Sequence, residues 1–158
     1  MGFRTACLLA FYVVAASAAT SKSDQAWLAD KADEPGVVAT GTGLMYKVLV
    51  DGPTPGKSPK LNSKTVCNYE GALTDGSVFD SSYARGQTLT FKPKQVIAGW
   101  TEAMQLMKEG DTWELYIPSE LGYGDSGYAG AIPGKAALVF KLEMIEVKGN
   151  EGTYNVIS

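Results

Sequence analysis

The stretch between residues 95 and 118 changes its hydrophobic period halfway, which predicts a helix followed by a strand. Its first half repeats apolar residues at spacings of three and four, which places on one helical face Ile97, Trp100, Met104 and Met107. Gly110 and Asp111 end this repeat, and an alternating pattern with a period of two begins at Trp113. Because so short a helix is not stable alone, we expect its apolar face to pack on a sheet that contains the following strand.

Alternating residues and turn signals predict the other strands of an antiparallel sheet. We expect strands at residues 44–50, 64–73, 78–80, 88–91 and 137–147. Asp75 and Gly76 are a hairpin turn signal between the second and third of these strands. Residues 51–62 are expected to form a loop, and residues 83–86 a bulge or loop. The predicted fold class is α+β, with a curved antiparallel β-sheet wrapped around one short α-helix and an additional short N-terminal helix.

The N-terminal helix is predicted between residues 21 and 34, ahead of one compact domain. Ser23 or Asp24 is available as its N-cap, and Pro35-Gly36 ends it. A chain of 158 residues has room for one domain with a substantial core. We expect a leading helix and linker at residues 19–42, the domain at 43–148 and a flexible tail at 149–158.

The first 18 residues have the features of a secretory signal peptide. Arg4 precedes an apolar run over residues 6–16, and small residues follow, so cleavage is expected after Ala18 or after Ala19. A retained membrane anchor is the alternative, but the run is shorter than the roughly 20 residues that span a bilayer, so we expect no stable membrane insertion. The signal directs the chain to the secretory route and not to the cytoplasm. The compartment that it reaches, whether periplasm, ER lumen, organelle lumen or exterior, is left open.

Composition excludes several classes of function. The net charge is −3, and 14 Lys and Arg are scattered among 17 Asp and Glu, so no basic stripe is available for nucleic acid. The chain has no histidine, which excludes Ser-His-Asp and Cys-His catalysis and leaves two cysteines at most for zinc. We expect no metal and no cofactor. The glycine-rich loop at residues 122–130 does not favour nucleotide binding, because no GK[ST] motif and no helix start follow it. Signal cleavage would remove Cys7 and leave Cys67, at a core-facing strand position where a thiol behaves as a small hydrophobe.

Seven short motifs follow one another in a fixed order along the chain. They are Tyr69-Glu70-Gly71, the segment 75–82, the segment 96–100, the segment 107–110, Ile117-Pro118, Tyr123-Gly124 and Ile132-Pro133. In this order they closely resemble the FKBP-type peptidyl-prolyl cis-trans isomerases, and the resemblance covers residues 43–147. The lead-in at residues 36–49 is similar to the macrophage-infectivity-potentiator branch of that family. We find no segment similar to the dimerising helical domain of that branch, and we expect a monomer.

The resemblance implies a pocket, between the sheet and the helix, that takes the proline ring of an X-Pro segment in unfolded or exported proteins. The residues that it implies for catalysis are Tyr69, Phe79, Asp80, Tyr123 and Phe140. Those that it implies for substrate binding are Arg85, Phe91, Val96, Ile97, Trp100 and Ile132, with the Trp100 ring as the floor. In the family, the backbone N–H at the Ile97 position and the Tyr123 hydroxyl meet carbonyl oxygens of the ligand.

Rotation about an X-Pro bond suits a chain without a histidine. The barrier of about 18–20 kcal/mol arises from amide resonance, and a twisted amide is less dipolar than a planar one. An apolar pocket that excludes water therefore favours the twisted state without a nucleophile or a base. The alternative is a non-catalytic proline-binding or chaperone module that uses the same pocket.

Some candidate residues have a second interpretation. From residue types alone, Trp100 and its neighbours are ordinary core, and Asp80 and Arg85 are a structural hydrogen-bond network. The resemblance favours the functional interpretation of each. Two positions depart from the family pattern: Gly134 stands where many relatives have a second proline, and Ala131 stands where the wall residue is often larger. The resemblance also implies macrolides such as tacrolimus or rapamycin as ligands. The two departures concern the affinity for these macrolides more than the isomerase activity.

Overall fold

The computed structural model describes residues 20–149 and 151–154. The helices are α1 (Lys22–Ala32), α2 (Ser82–Arg85) and α3 (Ala98–Leu106), with 3₁₀ turns at Pro93–Gln95 and Ser119–Leu121. The strands are β1 (Val37–Ala39), β2 (Met45–Val50), β3 (Gly56–Pro59), β4 (Lys64–Leu73), β5 (Val78–Ser81), β6 (Leu89–Phe91), β7 (Thr112–Ile117), β8 (Leu138–Lys148) and β9 (Glu151–Tyr154). The residues predicted to form a signal peptide lie outside the described residues. Within the described part of the chain, no helix has the length and apolar composition that a membrane crossing requires.

The strands form one large antiparallel sheet and one small one. The large sheet has the order β1-β2-β7-β8-β4-β5, and β6 also pairs with β4. Its longest pairing runs along β4 and β8, from Lys64 opposite Lys148 to Leu73 opposite Leu138. The predicted hairpin at Asp75-Gly76 joins β4 to β5. The α+β prediction is therefore confirmed, with the sheet, its antiparallel pairing and the helix that it covers.

The central helix α3 packs on the sheet because its first turn contains a glycine. A Cβ atom added to Gly99 would lie 2.7 Å from a side-chain carbon of Ile117, so only a glycine lets the helix approach β7 this closely. Trp100, Ala103 and Met104 are buried beside it. The predicted apolar stripe is thus the face that completes the core.

The N-terminal helix α1 covers the other face of β7. Side chains alternate along a strand, so Tyr116 points away from the side that Leu115 and Ile117 share with α3. Trp27 meets the Tyr116 ring edge to face at 5.8 Å, and the Lys31 ammonium lies 5.6 Å from the same ring. Tyr116 is therefore buried, although the sequence pattern predicted a strand buried on one face only.

Strand β2 is less covered than its alternating pattern predicted. Val48 and Val50 are 43% and 53% exposed. The pairing of β1 with β2 reaches only as far as Lys47, opposite Val37, so the second half of β2 has a strand neighbour on one side alone among the described residues. Tyr46, before that point, stacks on Trp113 at 4.1 Å and is better covered.

Four further segments differ from the sequence predictions. Ser21, and not Ser23 or Asp24, caps α1, because its side chain accepts from the Asp24 N–H. The expected bulge at residues 83–86 lies within the one-turn helix α2 and its Gly86 cap, which has a φ of 64°. The expected loop at 51–62 and the expected flexible tail each contain a strand, since β3 pairs with β9. Short strands without apolar alternation, such as these two, carry no periodic signal.

A buried ion pair holds the turn between α3 and β7. The side chains of Lys108 and Asp111 are 4% and 3% exposed, and their charged atoms are 2.9 Å apart. The Asp111 carboxylate also accepts from the backbone N–H groups of Gly52, at 2.7 Å, and of Lys108, at 2.9 Å. Lys108 donates in addition to Asp51. One carboxylate thus ties the turn to the loop that follows β2.

We predict that Asp111→Ala destabilises the protein by about 3–5 kcal/mol, because it removes a carboxylate that is buried with the Lys108 ammonium and deprives two backbone donors of their acceptor. The midpoint and slope of urea unfolding give the free energy of unfolding of the variant and of the wild type. The matched control is Glu146→Ala, whose ion pair with Lys148 is about half exposed; we expect its effect to stay within about 0.5 kcal/mol. A loss below about 1 kcal/mol for Asp111→Ala would contradict the prediction.

Candidate functional site

A cavity of about 570 Å³ lies between α3, the strands β4, β5 and β8, and the loop that follows β7. It is lined by Tyr69, Phe79, Asp80, Phe91, Gln95, Val96, Ile97, Trp100, Tyr123, Tyr128, Ala131, Ile132 and Phe140. Most of these side chains are apolar or aromatic, and the polar groups among them belong to three tyrosines, the Trp100 indole, Asp80 and Gln95. Such a cavity suits a small apolar ligand that is oriented by a few hydrogen bonds.

The floor of the cavity is the indole of Trp100, which stands among the edges of three other rings. The rings of Tyr69, Phe91 and Phe140 lie 5.2, 5.4 and 5.2 Å from it, at interplanar angles of 80°, 85° and 82°. Edge-to-face contacts of this kind fix ring positions beyond what area burial alone does. Trp100 is 4% exposed, so its position is set by the protein before any ligand binds.

A glycine in β4 makes room for the aromatic wall. A Cβ atom added to Gly71 would lie 2.5 Å from the Phe140 ring and 2.7 Å from the Phe79 ring. Those two rings themselves meet edge to face at 5.6 Å. The Gly71 of the Tyr-Glu-Gly motif therefore has a packing role that allows both rings to stand on one side of the cavity.

The polar edge of the cavity is a network of three side chains. The Tyr69 hydroxyl donates to Asp80 Oδ2 at 2.5 Å, and Arg85 Nη2 donates to the Tyr69 oxygen at 3.0 Å. Arg85 Nη1 donates to Asp80 Oδ1. Asp80 lies in β5 and Arg85 in α2, whose start is capped by the Ser81 hydroxyl. The β5–α2 turn thus places the guanidinium over the carboxylate.

The network fixes the charge state of the site. Burial raises the pKa of Asp80, but hydrogen bonds from Tyr69 and Arg85 outweigh it and hold that pKa below its ordinary value of 3.8. Burial, reinforced by the hydrogen bond to Asp80, raises the pKa of Tyr69 above 10.0. Burial also raises the pKa of Tyr123 above 10.0, and Tyr128 and Asp80 add to it. The carboxyl is therefore ionised and both phenols are neutral throughout the neutral range.

The backbone N–H of Ile97 and the Tyr123 hydroxyl are available as hydrogen-bond donors at the cavity. Ile97 is the N-cap of α3, so its N–H lies outside the hydrogen-bond ladder of the helix, and no side chain caps this start. The Thr101 hydroxyl holds the turn before it by bonding the Pro93 carbonyl at 2.5 Å. The Tyr123 hydroxyl makes no hydrogen bond within the described residues, whereas the Tyr69 hydroxyl is occupied by Asp80 and Arg85. This site can therefore donate hydrogen bonds to two separate carbonyl groups of a ligand.

The structure brings ten of the eleven residues named from the sequence to the wall of this one cavity. Arg85 is the exception, because it reaches Asp80 and Tyr69 from outside the cavity and its side chain is 44% exposed. Gln95 and Tyr128 line the cavity without having been named. Gln95 directly precedes the Val96-Ile97 motif, and Tyr128 is an aromatic residue within a glycine-rich loop. Each position therefore had a sequence feature that could have identified it, but neither residue belongs to the motifs from which the site was predicted.

Among the described residues, no group of three or more His, Cys, Asp or Glu is arranged to hold a metal ion. Cys67 is buried away from the cavity, and burial raises its thiol pKa to about 12, as expected for a thiol that serves as packing.

Comparison with known proteins gives consistent results. The sequence profile of the FKBP-type peptidyl-prolyl cis-trans isomerases matches residues 56–145. The chain is 48% identical to the peptidyl-prolyl cis-trans isomerase Mip of Coxiella burnetii over 81% of its own length and 55% of that protein. It is 43% identical to the macrophage infectivity potentiator of Trypanosoma cruzi, over 80% of this chain and 64% of that one. It is 44% identical to the outer membrane protein MIP of Legionella longbeachae, over 78% of this chain and 52% of that one.

A solved structure shows the same likeness in three dimensions. The crystal structure of FkpA from Escherichia coli superposes with a TM-score of 0.76 at 42% identity, over 80% of this chain and 58% of that one. The chain thus spans roughly half to two thirds of the length of these relatives, and the likeness concerns the part that contains the cavity.

Proposed function

The chain belongs to the FKBP-type peptidyl-prolyl cis-trans isomerases, and we propose that it accelerates rotation about X-Pro bonds by binding the proline ring in its aromatic cavity. The observation that carries the proposal is the buried indole of Trp100, which is surrounded by the edges of three aromatic rings. A flat, buried, rigid apolar floor beside a half-exposed carboxylate fits a proline ring and the amide attached to it. The partners are X-Pro segments of unfolded or exported proteins.

The proposed mechanism is differential binding of a twisted amide. Resonance keeps the X-Pro amide planar and gives a rotational barrier of about 18–20 kcal/mol. The dipole of the planar amide is best stabilised by water. The cavity replaces that water by the rings of Trp100, Phe140 and their neighbours. The twisted amide loses less by this replacement than the planar one does, so the barrier falls.

Each residue of the proposed site has a distinct role in this mechanism. Trp100 supports the proline ring, and Phe79, Phe91, Val96, Ile132 and Phe140 form the apolar walls. The Ile97 N–H and the Tyr123 hydroxyl donate to carbonyl oxygens on either side of the proline. Asp80 stands at the edge where the amide carbonyl swings during rotation, and Tyr69 and Arg85 hold it there. The proposed isomerase domain extends over residues 43–148, with residues 19–42 as the lead-in and residues 149–158 as the tail.

We expect the purified protein to accelerate X-Pro exchange in a short peptide, measured by NMR exchange or a protease-coupled assay, with a kcat/KM that is constant from about pH 5 to pH 9. The pKa of Asp80 lies below 3.8 and those of Tyr69 and Tyr123 lie above 10.0, so none changes charge in this window. The Asp80 carboxylate contributes to kcat/KM at every pH above its pKa in the folded protein. That contribution is lost only as the pH falls through this pKa, in acid.

A bell-shaped profile centred near neutral pH would contradict this mechanism, since it would require a general acid or base that titrates there. No acceleration at any pH, with the X-Pro peptide still bound, would leave the non-catalytic proline-binding module.

The variants Trp100→Leu and Asp80→Ala should separate binding from turnover. Loss of the indole removes contact that planar and twisted amides share, so it should appear chiefly as a higher KM. Loss of the Asp80 carboxylate should lower kcat and kcat/KM together. Each effect should be about 1–3 kcal/mol, the range for a lost pocket contact or an unpaired polar group. Steady-state kinetics on one peptide measure both.

A matched pair of buried strand residues controls for general damage. Phe140→Ala should lower activity far more than Cys67→Ala, because both remove buried side chains but only Phe140 lines the cavity. Equal losses for the two variants would mean that core packing has been mistaken for a site. A fall in kcat for Trp100→Leu at unchanged KM would overturn the assignment of its role.

We propose the same cavity as the site for macrolides such as tacrolimus or rapamycin, with a contact surface that differs from other family members at Ala131 and Gly134. A Cβ atom on Gly134 would lie 2.0 Å from the Asp125 carbonyl oxygen, so the loop closes tightly around this glycine. A proline, which many relatives have at this position, would require the loop to open.

We also propose that the protein is exported through the secretory route, supported by the Arg4 and apolar-run pattern of its first 18 residues. N-terminal sequencing of the protein purified from its own cells should find Ala19 or Thr20 as the first residue, since small residues mark cleavage after Ala18 or Ala19. An intact Met1 on that protein would overturn the proposal.

A further inference from the structure

The loop between β7 and β8 supplies four side chains of the cavity wall. Tyr123, Tyr128, Ala131 and Ile132 all come from residues 118–137. The rings of Tyr123 and Tyr128 lie 5.2 Å apart, and the Tyr128 N–H donates to the Ile132 carbonyl at 2.9 Å. These contacts join Tyr123, Tyr128 and Ile132 to one another. Ile132 also packs in the hydrophobic core, and hydrogen bonds hold the two ends of the loop.

The first end of this loop is held by Thr20, the residue before the N-cap of α1. The Thr20 hydroxyl accepts from the Ser119 N–H at 3.0 Å and donates to Glu120 Oε2 at 2.5 Å. Its oxygen also lies 3.1 Å from the Ser119 hydroxyl. Gln25, one turn into α1, donates to the Thr20 carbonyl at 2.7 Å. The start of the helix and the start of the loop are therefore tied together by side chains.

The second end is held by the first turn of α1 itself. The Ser21 N–H donates to the Lys135 carbonyl at 2.8 Å. Asp24 accepts from the Ala137 N–H at 2.8 Å through one oxygen and from the Thr74 hydroxyl at 2.9 Å through the other. Thr74 belongs to the turn between β4 and β5, the two strands that carry Tyr69 and Asp80. One carboxylate thus links the exit of the loop to the β4–β5 hairpin.

The two ends of the loop are also joined to each other next to a cavity residue. The Gly124 N–H donates to the Ser119 carbonyl, and the Lys135 N–H donates to the Gly124 carbonyl, each at 2.8 Å. Lys135 has a φ of 64°, a left-handed conformation that is uncommon outside glycine and persists where surrounding contacts impose it. Gly124 directly follows Tyr123. A displacement of either end of the loop is therefore transmitted within one residue to Tyr123.

We propose that the first turn of α1, with Thr20 before it, is a brace that sets the position of the loop of residues 118–137, and that Asp24 is a positioning residue for substrate binding. The inference rests on the proposed function, because it concerns the wall of the same cavity. Asp24 touches no cavity atom and acts through Ala137 and Thr74. Release of the brace leaves the Trp100 floor and the Asp80 edge in place but removes the defined position of the Tyr123 hydroxyl and the Ile132 wall. The brace therefore governs affinity for the X-Pro segment more than the rotation step.

Asp24→Ala should raise KM for an X-Pro peptide on the order of fivefold, at the lower end of couplings between connected sites, while kcat stays within about twofold. Asp24→Asn should restore most of the affinity, because its amide oxygen accepts from the Ala137 N–H while its amide group donates to the Thr74 oxygen. The matched control is Asp30→Ala, the same charge change at an exposed position of the same helix. It should leave both constants unchanged.

Hydrogen exchange of the loop amides supplies a second readout. In Asp24→Ala, the Ile132, Lys135 and Ala137 amides should exchange faster, whereas amides of the β4–β8 ladder should keep their protection. If Asp24→Ala does not fold, Thr20→Val tests the same brace from the other end of the loop. An unchanged KM in the folded brace variants, or an equal rise in Asp30→Ala, overturns the proposal.

Failure of the brace and failure of the proposed function give different results. A wild-type protein that binds the X-Pro peptide without accelerating its exchange would contradict the proposed function, and the ratio of peptide Kd values between wild type and Asp24→Ala would still decide the brace. A wild-type protein that is active, with Asp24→Ala at wild-type KM, would overturn the brace alone.

Discussion

The close packing of α3 on β7 is the constraint on which the cavity depends. Gly99 lets the helix backbone approach Ile117, and this approach brings the next residue, Trp100, to the centre of the aromatic group. From there the indole meets Tyr69, Phe91 and Phe140 at right angles. A helix lifted by one methyl group would displace the floor with respect to every wall. The site is in this sense a by-product of core packing, completed on its open side by Asp80 and by the loop after β7.

The site is built for shape and polarity and not for proton transfer. The carboxylate of Asp80 is held by Tyr69 and Arg85, and its pKa lies far from neutral. The chain has no histidine that could act as a general acid or base near neutral pH. What the residues around Trp100 do offer is a buried aromatic surface next to one fixed negative charge. Such a surface acts on the dipole of a bound amide, and this is how a small fold without a nucleophile can lower a rotational barrier.

Most of the fold and of the cavity could be predicted from the sequence because both rest on strong local signals. The change of period after Met107 marks the helix and strand, and β4 was predicted with its bounds, since its alternation runs over ten residues. The cavity residues came from motifs whose order is specific. The β3–β9 pair was missed because neither four-residue sequence, GKSP nor EGTY, alternates apolar and polar residues. The brace at Asp24 was missed because side-chain hydrogen bonds between distant segments leave no periodic trace, and Asp24 resembles an ordinary N-cap.

The uncovered half of β2 has a consequence for how molecules of this protein meet one another. From Val48 to Val50 the strand presents three consecutive β-branched or aliphatic side chains, and one of its backbone edges has no strand neighbour among the described residues. An apolar strand edge of this kind is a template for pairing between molecules, and natural proteins keep such edges short and flank them with charge. Lys47 and Asp51 flank this one on either side. The apolar edge is therefore limited to three residues by two charged side chains that do not line the cavity.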